Sequence, residues 1–124
     1  MNPLSANSKI FSILVLNFKI IAPEFIIYEF NKHREECFKK SGLSREEFEE
    51  RKKEAFEKIN FIKTDKFKKH FAHSKEFSPD ENDIPYFALA IEEKCAIWSN
   101  DRELKNQSQI KVFTTQDLIE ALFH

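Results

Sequence analysis

The sequence predicts an α/β fold, and three observations carry that reading. Helix-period segments alternate with short apolar runs of extended character, the order expected of strands joined by crossover helices. The chain has 124 residues, the size of one domain. Hydrophobic residues make up 41% of it, enough for a packed core, and 14 phenylalanines supply much of the bulk.

The elements can be justified in order. Asn7 or Ser8 is placed to cap a first helix carrying Ile10, Phe11, Ile13 and Leu14. Phe18 to Ala22 is a short extended run. Pro23 suits the first turn of a helix, where its missing N–H leaves no bond unmade. That helix is expected to run through Glu29 and His33 towards Lys40, with Gly42 placed to end it. Ser44-Arg45-Glu46-Glu47 has the spacing of a capping box, in which the Ser oxygen and the Glu carboxylate satisfy each other's backbone donors. The helix behind it turns Phe48, Ala55, Phe56 and Ile59 inward. Asn60 to Lys63 reads as a strand, followed by a basic, Phe-rich helix from about Asp65 to His73. Ser78 to Asn82 is a loop. Asp83 then caps a helix with Pro85 in its first turn, burying Phe87, Ala88, Leu89 and Ile91. Ala96–Ser99 and Ile110–Phe113 are strands. Thr114 or Thr115 caps a last helix bearing Leu118, Ile119 and Leu122.

Composition excludes several function classes. The single glycine, Gly42, rules against glycine-rich phosphate loops, which need several positions where bare backbone approaches phosphate. The longest apolar stretch, Ile10 to Ile21, is broken by Ser12, Asn17 and Lys19, so neither a membrane span nor a signal peptide is expected. Cys37 and Cys95 lack metal-type spacing and read as two free buried thiols in a reducing cytoplasm. With a formal net charge of -1, any anion binding must come from local patches. Lys63, Lys66, Lys68, Lys69 and Lys75, interleaved with Phe67 and Phe71, fit RNA phosphate contact. The plainer reading, which carries more weight, is an amphipathic helix with lysines in water and phenylalanines inside. His70 and His73 read as a solvated face rather than a transition-metal pair.

Three acids stand out. In an open α/β sheet, sites form beyond the carboxyl ends of the strands. Glu29 lies in the helix after Phe18–Ala22, Asp83 opens the Pro85 helix, and Asp101 follows the Ala96–Ser99 strand. Converging carboxylates raise one another's pKa, and a hard divalent cation removes that penalty. Each also has a plainer reading: Glu29 as a solvated helix residue, Asp83 as an N-cap, Asp101 as turn chemistry. Spacing alone leaves both open.

The wider context resembles the PIN-domain family. The residues that carry the resemblance are Asp83-Ile-Pro-Tyr-Phe-Ala-Leu-Ala, Ile97-Trp98-Ser99-Asn100-Asp101 and Val112-Phe113-Thr114-Thr115, with Ile20 to Phe30 upstream. The resemblance implies a three-layer α/β/α fold with a central, mainly parallel sheet. It implies a metal-dependent endoribonuclease acting on single-stranded RNA, as in toxins of the VapC type, with an antitoxin protein and a second copy of the chain as partners. It assigns Glu29, Asp83 and Asp101 to the metal site for Mg²⁺ or Mn²⁺, and Ser99 to a hydroxyl position beside it. Asn100 precedes the last acid as in the family pattern. One departure matters. The family opens with a strand ending in an Asp, whereas no Asp precedes Asp65 here. The expectation is therefore a single PIN-like domain over residues 1–124, N-terminally truncated or given too late a start, without its first strand. The alternative function is a catalytically impaired PIN fold that binds RNA or protein, or dimerises.

Overall fold

The computed structural model describes residues 8–123, with side chains from residue 12 onward. Asn7 as a cap, and the side chains of Ile10 and Phe11, lie outside the described residues. The chain forms two compact units, residues 8–62 and residues 63–123.

In the first unit, α1 (Ser8–Asn17) buries Leu14 completely and leaves Leu16 exposed. It is followed by β1 (Ile20–Pro23), α2 (Phe25–Lys32), α3 (Arg34–Ser41), α4 (Arg45–Glu57) and β2 (Ile59–Ile62). β1 pairs parallel with β2, Ile20 opposite Ile59 and Pro23 opposite Ile62. Pro23 thus ends a strand and is fully buried, instead of opening the helix. The ladder stays continuous because the next donor, Glu24 N–H, bonds to Ile62 O at 2.8 Å. The helix expected as far as Lys40 is two helices. His33, at φ −108° and ψ 18°, leaves the helical region and separates them. Ile59, expected inside a helix, is the first residue of β2.

Aromatic rings fill this unit. Phe30 packs on Phe48 and Phe56, Phe38 on Phe48, and Phe56 on Phe61, with ring centres 5.2–6.1 Å apart. That chain joins α2, α3, α4 and β2, and Phe48 is fully buried. The predicted punctuation is present. Gly42 ends α3 at φ +70°, where residues with a side chain are strained. Ser44 Oγ accepts the N–H of Glu47 at 3.2 Å. The Glu47 carboxylate takes the Ser44 hydroxyl rather than its backbone N–H, so the box is half closed.

The second unit opens with 3-10 turns at Thr64–Lys66 and Lys68–His70, then α5 (Phe71–Phe77), where one longer basic helix was expected. α6 (Ile84–Glu93) buries Phe87, Ala88, Leu89 and Ala90. β3 (Ile97–Trp98) pairs parallel with β4 (Val112–Phe113). α7 (Thr115–Leu122) starts at Thr114, whose side chain accepts from Asp117 N–H while Asp117 answers Thr114 N–H, a complete capping box. The core gathers Phe87, Leu104 and Val112, with Phe77, Ile97 and Ile110 packed against it.

The α/β alternation and the parallel pairing are both present. The strands, however, pair two by two as β1–β2 and β3–β4, and among the described residues no further strand joins either pair. The expected central sheet is thus represented by two short parallel ladders. Four-residue and two-residue strands offer few backbone bonds, so most of the burial falls to helices. Both cysteines are free as expected, but Cys95 is exposed and Cys37 half-buried, because Cys95 lies just past the left-handed Lys94 that turns the chain out of α6.

Candidate active site

Asp83 stands at the opening of α6, yet it is not the cap the sequence suggests. A 3-10 turn, Glu81–Asp83, precedes the helix, and Asp80 caps that turn by accepting Asn82 N–H on Oδ1 at 2.9 Å. Asp83 sits at φ −91° and ψ −10° and makes no side-chain capping bond. Capping needs an extended backbone that turns the carboxylate onto the first helical donors, and Asp83 is already helical. Its carboxylate is left for other chemistry.

Asp101 follows β3. The strand is fixed by Ile97 N–H to Lys111 O and Ser99 N–H to Phe113 O, both at 2.9 Å. Ser99 Oγ then accepts Asp101 N–H at 3.1 Å, and Asp101 Oδ1 accepts Glu103 N–H at 3.0 Å, capping the 3-10 turn Arg102–Lys105. Turn chemistry therefore occupies one oxygen of Asp101. Leu104, inside that turn, belongs to one buried cluster with Phe87 of α6 and Val112 of β4. That cluster joins the segment bearing Asp101 to the helix that Asp83 opens.

Electrostatics link the acids. Partial burial, and after it the negative charges of Asp80, Asp101 and Glu103, hold the Asp83 carboxyl above the ordinary aspartate range. Asp80 and Glu103 were not picked out from the sequence. The signal available was that they flank the two chosen acids in the chain; what the sequence lacked was any measure of which flanking acids share a field.

Glu29 belongs to the other unit. It lies on α2 with its side chain 51% exposed, and Oε2 stands 4.0 Å from His33 Nε2. Among the described residues, no three His, Cys, Asp or Glu side chains are grouped to hold one ion. The donors around Asp83 are all hard oxygens. Such a set suits Mg²⁺ or Mn²⁺, because Mg²⁺ keeps several waters and takes only one or two carboxylates plus substrate phosphate. The carboxylates of Asp83 and Asp101 are of the kind that would hold such an ion.

The other candidates resolve differently. His70 Nε2 is 2.9 Å from Glu92 Oε1, which also meets Lys69 Nζ at 3.2 Å, and these partners hold the Glu92 carboxyl below its usual range. His73 pairs with Glu76 at 3.5 Å. The two imidazoles thus serve separate carboxylates. Phe67 is fully buried and Phe71 half-buried, while Lys63, Lys66, Lys68, Lys69 and Lys75 are exposed. That is the amphipathic arrangement; Lys68 is additionally paired with Asp65.

A family model described as a PIN domain matches residues 4–122. Comparisons with curated proteins and with solved structures give no match. PIN domains are generally nucleases that use divalent metals. Among the described residues no helix is long and apolar enough to cross a membrane. The match spans almost the whole chain and agrees with its alternating helices and parallel strand pairs, so the protein belongs to the PIN-domain family.

Proposed function

We propose that this protein is a metal-dependent endoribonuclease cleaving single-stranded RNA, with Asp83 and Asp101 holding Mg²⁺ or Mn²⁺. One observation carries the reading. In a PIN-domain member, an uncapped carboxylate at the head of α6 has its proton affinity raised by burial and by Asp80, Asp101 and Glu103. Mutual repulsion of this kind is what a bound cation relieves.

The residues divide the work. Asp83 presents a carboxylate with no capping duty. Asp101 has Oδ1 tied to Glu103 N–H, so Oδ2 is the atom left for a ligand. Ser99 acts through Asp101, whose N–H it holds. The chemistry a divalent ion would supply, if held there by Asp83 and Asp101, is activation of water and neutralisation of charge developing on the scissile phosphate. By the same resemblance, the setting is cytoplasmic, as the toxin of a toxin–antitoxin pair, with an antitoxin protein and a second copy of the chain as partners. Leu16 and Tyr28, 80% and 67% exposed, offer such partners apolar surface in the first unit.

A labelled single-stranded RNA, incubated with Mn²⁺, tests the proposal. Cleavage is expected to need the metal and to fall at least about 100-fold in Asp83→Asn and Asp101→Asn while both variants stay folded. Activity that persists in EDTA, or survives both substitutions, would refute the assignment. The alternative, a catalytically impaired fold that binds RNA or protein, is favoured by the lack of three grouped ligands among the described residues. It predicts RNA binding without cleavage.

A further inference from the structure

Asp101 stands on a segment fastened at both ends to the first turn of α7. Asn100, the preceding residue, reaches across with its side chain, and its Oδ1 accepts Thr115 N–H at 2.9 Å. That donor belongs to the first turn of α7, where N–H groups have no partner within the helix. Thr115 Oγ1 in turn accepts the indole N–H of Trp98 on β3 at 2.9 Å. At the far end of the turn, Lys105 Nζ lies 2.8 Å from Asp117 Oδ2, the oxygen that also accepts Thr114 N–H at 2.9 Å. Between the two fastenings Leu104 is buried in the cluster that also holds Phe87 and Val112. Asp101 is therefore carried by a strap whose near anchor is Asn100.

We propose that Asn100 is a positioning residue: its bond to Thr115 N–H sets where the Asp101 carboxylate stands relative to Asp83, and through that the affinity of the centre for a divalent cation. The functional content rests on the metal reading above. The chemistry of the side chain suits the task. An amide oxygen supplies the acceptor without charge, whereas an aspartate here would add another negative group to a field that already burdens Asp83.

The test uses the full chain, with Mn²⁺ titrated by calorimetry and amide exchange followed by NMR. Asn100→Ala removes the acceptor. Thr115→Pro removes the donor from the other side, at a first helical position that proline favours and after a Thr114 already extended at ψ 168°; Thr115→Val, which loses only the Oγ1 that accepts Trp98 N–H and keeps the donor, is its control and should leave Mn²⁺ affinity within about twofold of wild type. Asn100→Ala and Thr115→Pro should bind Mn²⁺ about tenfold more weakly, the usual effect of losing a partner that orients a ligand. Asn100→Ala should also speed exchange at Thr115 and at residues 101–105, and Asn100→Asp, which keeps the acceptor, should restore slow exchange at Thr115. Folded Asn100→Ala and Thr115→Pro variants whose Mn²⁺ affinity stays within about twofold of wild type would overturn the proposal. A wild-type protein that binds no Mn²⁺ sinks the metal reading instead; the clasp is then judged on exchange, and unchanged protection in Asn100→Ala overturns it.

Discussion

Replacing Leu104 with alanine probes whether packing beneath the acids sets their spacing. Leu104 is 5% exposed and lies with Phe87 and Val112 in the core of the second unit. Phe87 belongs to the helix that Asp83 opens, and Leu104 to the turn that Asp101 caps. The substitution removes three carbons, about 2.4 kcal/mol of transfer free energy at about 0.8 kcal/mol each. A cavity term adds to this, because Phe87 is fully buried and held edge-on against Phe77 at 5.2 Å, and cannot follow into the space. The expected loss is about 3–4 kcal/mol, inside the usual range for Leu→Ala and large against a typical stability of about 5–15 kcal/mol. Urea unfolding followed by circular dichroism measures it, and a Mn²⁺ titration of the folded variant should show about tenfold weaker binding. A loss below about 1 kcal/mol would show that Leu104 is not core. A full loss with unchanged Mn²⁺ affinity would show that this packing does not set the acids' spacing.

Three further outcomes are expected. Lys105 and the Thr114 N–H depress the Asp117 carboxyl from 3.8 to about 2. Its stabilisation is thus present above pH 3.8 and disappears as pH falls towards 2, and Asp117→Asn should flatten that acid limb in melts taken across the range. Asp83 has the opposite sign. Its carboxyl is raised above 3.8, so the folded form holds the proton more tightly and stability declines as pH climbs through the raised value. Metal-free Asp83→Asn should therefore melt higher than wild type at pH 7 yet gain less from added Mn²⁺; a lower melting point would contradict the electrostatic account. Gly42→Ala meets no atom within 4 Å, so its cost is backbone strain alone at φ +70°, about 1 kcal/mol in denaturant unfolding.

Much of the local structure was legible in the sequence. The left-handed Gly42, the caps at Ser44 and Thr114, and the buried stripe of α6 depend on residues a turn apart, and such residues carry their own instructions. The misses arose where distant partners intervened. Pro23 could open a helix by its own chemistry, but pairing with Ile62 made it a strand end. His33 gave no warning that it would divide α2 from α3. Asp83 had every local mark of an N-cap until Asp80 took the capping role. By itself the sequence determined the α/β alternation, the family and the acids worth watching. Tertiary structure alone decided which acids share a field, because a carboxylate's proton affinity depends on burial and on charges that packing brings near. Here the buried cluster of Phe87, Leu104 and Val112, residues separated in the chain, joins the turn that Asp101 caps to the helix that Asp83 opens.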